Sequence, residues 1–94
     1  MSDTSGLGAG AWNSFSFTIT PEAKNVFDQA LKGLTGAQYT PLAFAIQVVN
    51  GLNYCFLCEG HIVYPGMPEF AALVYVYTPR EGAPHITSIA RINP

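Results

Sequence analysis

Ninety-four residues are enough for one hydrophobic core and too few for a Rossmann sheet or an eight-stranded barrel enzyme. Charged residues make up 11% of the chain and apolar ones 49%, where soluble proteins average roughly 25% charged, so a disordered chain is excluded. Lys24, Lys32, Arg80 and Arg91 are outnumbered by six acids, for a net charge of -2, which lacks the basic footprint that nucleic acid requires. So apolar a chain is expected to cover part of its surface with a partner or a second copy of itself. The longest apolar runs, such as Phe70 to Tyr77, fall far short of the ~20 residues that span a bilayer. Met1-Ser2-Asp3-Thr4-Ser5 lacks both the basic and the apolar region of a signal peptide. No membrane contact and a cytoplasmic address are therefore expected.

The chain reads as a single domain over 1–94, with residues 1–11, rich in Gly, Ser and Ala, as a flexible N-terminal arm. From Asn13 to Ile19, Phe15, Phe17 and Ile19 alternate with Ser14, Ser16 and Thr18, which predicts a half-buried strand. Thr20-Pro21-Glu22 supplies an N-cap, a proline at the first helical position and an acid in the first turn. A helix follows, with Val26, Phe27, Ala30, Leu31 and Leu34 on one face and Gly33 and Gly36 at its end.

Pro41 to Val48 alternates Leu42, Phe44, Ile46 and Val48 with Ala43, Ala45 and Gln47. Asn50-Gly51 suits the positive φ angles of a tight hairpin. Val48 is expected on the Ile46 face and Val49 in solvent. Leu52 to Glu59 is the return strand, Glu69 to Thr78 the next, and His85 to Ile92 the last, entered through the Pro79 to Pro84 turn. The order predicts an α+β architecture, one helix wrapped by a four- to five-stranded antiparallel sheet.

Enzymatic constellations are sparse, and catalytic residues, metal sites and cofactors are expected to be none. Cys55-Phe56-Leu57-Cys58 has the letters of a redox pair, but that chemistry needs a helix N-terminus, and residues three apart on a strand face opposite ways. The two cysteines read as packing residues. With His61 and His85 they supply the only four candidate zinc ligands, which opposite faces keep apart. Both histidines read as exposed turn residues, and no serine or acid stands at a spacing that would make a triad. Gly6-Leu7-Gly8-Ala9-Gly10 lacks the strand and helix that let a glycine loop hold phosphate.

The segment Gln47-Val48-Val49-Asn50-Gly51 places two valines at a hairpin tip, where an apolar loop marks a contact surface. It resembles the Gln-x-Val-x-Gly first-hairpin signature of the cystatins, and Asn53-Tyr54 matches the Asn-Tyr that commonly follows. Gly10-Ala11 about ten residues before the helix, Thr20-Pro21-Glu22, Tyr39, the Val74-Tyr75-Val76-Tyr77 strand and the closing Ile86-Thr87 strand stand in register with the same plan. The resemblance covers nearly the whole chain. It is closest to the stefin branch, which is single-domain, free of disulfides and intracellular.

What the resemblance implies is a cysteine protease inhibitor that occludes the cleft of papain-like enzymes, without covalent chemistry, using an arm and two hairpin tips. The first tip would be Gln47, Val48, Val49, Asn50 and Gly51. The arm glycine would be Gly10, or Gly8, and the second tip would run from Pro79 to Pro84. The chain lacks the Pro-Trp pair of secreted cystatins, its only tryptophan being Trp12, and carries fewer charges than stefins. The alternative is a cystatin-fold binding module without inhibition. In that reading Ala43, Ala45, Cys55 and Leu57 pack in a homodimer, or the Val48-Val49 tip opens as the hinge of a domain-swapped one.

Overall fold

A computed structural model describes residues 10–94. Helix α1 (Pro21–Ala30) precedes four strands, β1 (Ala37–Val49), β2 (Gly51–Ile62), β3 (Phe70–Thr78) and β4 (His85–Ile92). The strands form one open antiparallel sheet in chain order. The expected α+β class holds, and among the described residues no helix is long and apolar enough to cross a membrane.

Helix α1 starts where its capping chemistry places it. The Thr20 hydroxyl accepts from the Ala23 N–H at 3.1 Å, Pro21 occupies the first turn and Glu22 meets the positive end of the helix. The helix ends at Ala30 with Leu31 as its cap, short of the expected reach, and Leu34 is exposed. Its buried face is Ala23, Val26 and Phe27.

That face lies on a core of Tyr54, Phe56, Cys58, Val74 and Val76, flanked by Phe44, Ile46, Leu52 and Ile86. The Phe27 ring meets Phe56 edge-on at 4.9 Å between centroids, and Tyr54 and Phe56 stack at 5.5 Å, both favoured aromatic geometries. Phe56 is fully buried. At the far end of the sheet the Phe70 ring lies where a Cβ on Gly60 would stand, so glycine is required there by close approach. The Arg91 guanidinium sits 3.9 Å above the same ring.

The expected strand from Asn13 to Ile19 does not form. The segment runs antiparallel beside β1, but its strand pairing is limited to isolated bridges, Trp12 with Gln47 and Ser16 with Phe44. Four residues on one side span three on the other, so the register slips between them. The Ser16 hydroxyl then accepts from the Thr18 N–H at 3.3 Å, a local bond that turns the chain away from the ladder. Phe17 is left 73% exposed, whereas Ile19 packs against the core. Strand β1 begins earlier than expected and carries Pro41 at a bulge, with Leu42 as the extra residue. Pro41 has no N–H to give the ladder, and a bulge near the sheet edge accommodates it.

Phe56→Ala should cost about 3–5 kcal/mol of stability, because a fully buried ring is removed from a packed core. Phe17→Ala should stay within about 0.5 kcal/mol of wild type. Urea unfolding followed by circular dichroism measures both.

Candidate functional site

One end of the sheet gathers three separate segments. Around the first hairpin, Val48 pairs with Leu52 and Val49 with Gly51, leaving Asn50 at the apex. Among the described residues no non-glycine residue has positive φ, while Gly51 has φ +108°. The expected turn with positive φ at both Asn50 and Gly51 is therefore corrected to a tighter reversal in which glycine alone takes the left-handed conformation. A Cβ on Gly51 would stand 2.5 Å from the Thr78 carbonyl oxygen and 3.2 Å from the Pro79 Cα. The first tip thus rests on the start of the second loop.

The arm reaches the same end. Gly10 donates its N–H to the Val48 carbonyl at 2.9 Å, and the Gln47 side-chain amide donates to the Gly10 carbonyl at 2.7 Å. The Gln47 amide oxygen in turn accepts from the Asn53 side chain at 2.8 Å. A little further on, Asn13 and Ile46 exchange two bonds: the Asn13 N–H donates to the Ile46 carbonyl at 3.1 Å, and the Ile46 N–H donates to the Asn13 side-chain oxygen at 2.8 Å. Gly10 and Ala11, assigned to a flexible arm, are therefore held against β1. Gly8 and the rest of the arm lie outside the described residues.

Tyr77 closes the arrangement. Its hydroxyl donates to the Asn50 carbonyl, and its ring meets His85 edge-on at 5.7 Å. One side chain therefore links the apex of the first hairpin to the start of β4. Pro79 and Pro84 are both half-buried, and Arg80 to Ala83 between them are exposed.

The structure brings together Gly10, Gln47 to Gly51 and Pro79. It reverses the expectation for the valines: Val48 is 45% exposed and Val49 is half-buried. Val48 continues the Ile46 face, but that face runs past the end of the core here, so alternation no longer implies burial. Sequence reasoning did not assign Asn13, Asn53 or Tyr77 to this end. Gln47 and Asn53 stand equally far from Asn50 in the chain, so a hairpin centred on Asn50 makes them cross-strand partners; that symmetry was the available signal.

The cysteines are free and buried. Cys58 belongs to the core, whereas Cys55 pairs across strands with Ala45 and Tyr75 on the other face. Burial, with Cys55 nearby, pushes the Cys58 thiol up to about 12. Burial also raises Cys55, offset in part by a hydrogen bond with Tyr75. His61, expected in a turn, lies within β2, and exposed His85 opens β4 at the bound expected for the last strand. Among the described residues no group of three His, Cys, Asp or Glu side chains could hold a metal ion.

No family model matches the chain, and neither a curated protein nor a solved structure matches it.

Two outcomes follow from this geometry. Gly51→Ala should lower stability by more than about 1 kcal/mol, since it adds a clash to a left-handed conformation, as chemical denaturation would register. Thiolate is the reactive form of cysteine, and raised pKa values together with burial suppress it. Iodoacetamide at about pH 8 should leave both native thiols unmodified and label both in guanidinium, by mass spectrometry of the intact chain.

Proposed function

We propose that this chain is an inhibitor of papain-like cysteine proteases, in which Gly10, the Gln47 to Gly51 tip and the Pro79 to Pro84 loop form a wedge that fills the enzyme's cleft. The observation that carries this reading is the assembly of those three segments at one end of the sheet, braced by Gln47, Asn53 and Tyr77. The cystatin resemblance names the same segments. The site offers no nucleophile and needs none, because inhibition here is steric. Val48, exposed beside the apex, supplies apolar area to a cleft, and the braces reduce the conformational freedom lost on binding.

The test is titration of papain activity with the purified chain, beside Val48→Asp. On an exposed position the carboxylate should change folding stability by less than about 0.5 kcal/mol. Inside a cleft it would be desolvated without a partner, costing several kcal/mol and on the order of a hundredfold or more in affinity. The expected result is inhibition by wild type and its near loss in a variant that melts normally. Absence of inhibition by wild type rejects the reading, and a folded variant that inhibits fully removes the hairpin tip from it.

A further inference from the structure

The face of the sheet turned away from α1 is as apolar as the core face, but among the described residues only the Trp12–Phe15 segment lies over it: Ala45 and Cys55 are buried beside that segment, while Leu57, Leu73 and Tyr75 are only half-buried. Ala45, Cys55, Leu57, Leu73 and Tyr75 lie on this side by strand register, and none carries a charge. Trp12 lies along its β1 edge, its ring 6.0 Å from that of Tyr75, and Phe15 joins it around a depression floored by Ala45 and Cys55. Trp12 is 38% exposed, Phe15 40% and Leu42 46%, values that leave large apolar side chains in water.

Apart from Ser88 and the Tyr75 hydroxyl beside it, the polar groups of the sheet strands on this face stand at its two ends. At the wedge end stand Gln47, Asn53, Tyr77 and His85. At the far end Glu59 and Glu69 lie against each other beside His61. A two-fold axis parallel to the strands would bring the two acidic ends together, against like-charge repulsion. A two-fold axis perpendicular to the strands lays each acidic end over the other copy's wedge end. There His85 and the side-chain amides supply N–H donors for carboxylates.

The strand lengths and standard spacings give this side of the sheet, with Trp12 and Phe15 presented over its β1 part, a planar footprint of roughly 700 Å², on the scale of the roughly 800 Å² that each partner contributes to a standard interface. Two such sheets stack at about 10 Å with strands nearly aligned, as in a β-sandwich.

We propose that this face is the interface of a homodimer, two copies packing sheet on sheet with strands antiparallel and each Glu59–Glu69 end over the other copy's His85. The inference does not depend on protease inhibition. It is also distinct from hairpin exchange, since both first hairpins stay closed.

Sedimentation equilibrium across micromolar to submillimolar concentrations tests it, together with the emission of Trp12, the only tryptophan in the chain. Wild type should be dimeric, and its emission should move to shorter wavelength as the concentration rises. Leu73→Lys and Leu42→Lys should weaken association by about a hundredfold or more while keeping the wild-type circular dichroism spectrum. Leu42→Lys, at a bulged and exposed position, keeps the test valid if Leu73→Lys does not fold. Ile89→Lys, on the opposite face of β4 opposite Val74, should leave the dimer intact. A monomeric wild type overturns the proposal, whether the face then meets a different partner or none. So does a dimer that survives both face substitutions, as a hairpin-swapped one would.

Discussion

The pairing of Phe44 with Phe56 across the first hairpin is the contact on which the rest of the structure depends. Side chains alternate along a strand with period two, so this one pair decides which face every neighbour takes. Tyr54 and Cys58 follow Phe56 toward the helix, while Ala45, Cys55 and Leu57 turn the other way. A slip of one residue would place Cys55 under the helix and leave Phe56 in water. Phe27 descends on Phe56 and selects the observed register, because only that one gives the helix an aromatic surface to bury against.

The same register builds the first-hairpin end of the sheet. With Phe44 opposite Phe56, Gln47 falls opposite Asn53 and Asn50 comes to the apex. Gln47 then has one amide group facing the arm and one facing Asn53, and Tyr77, two strands away from β1, reaches the Asn50 carbonyl. Short hairpin tips ordinarily fray, since few contacts hold them. Here the tip is tied to the arm on one side and to β3 on the other. These ties explain how uncharged residues at a loop tip keep a defined shape, which is what the proposed occlusion by fit requires.

The low charge of the chain also has a structural address. Among the described residues the charged side chains sit on and just after α1, in the second loop and at the far end of the sheet, leaving the centre of the outer sheet face uncharged. Lys24 and Asp28 pair at 2.6 Å on the exposed helix face, an i,i+4 pair of modest worth. Solvent compatibility is thus concentrated on the helix side, and the opposite side has the composition of a core covered, among the described residues, only along its β1 edge.

Much of this was legible in the residues alone. Thr20-Pro21-Glu22 specifies a helix start by local bonding, β4 could be bounded at His85 and Ile92 by its flanking turn residues, and Asn50-Gly51 marks the first reversal, because each signal acts over a few neighbouring residues. The cysteines' opposite faces follow from period two and required no tertiary knowledge. What local pattern could not decide was where the core ends. Val48 and Phe17 both sit on apolar alternations and both are exposed, since alternation states a face and not whether anything covers it. The failed strand at Asn13 to Ile19 has the same origin: its pattern is sound, but its pairing competes with the Ser16–Thr18 turn and with a slipped register against β1. The convergence of Gly10, Asn50 and Pro79 was likewise settled only by the assembled sheet, because hydrogen bonds between residues more than twenty-five positions apart arise from strand order and twist and leave no periodic trace in the chain.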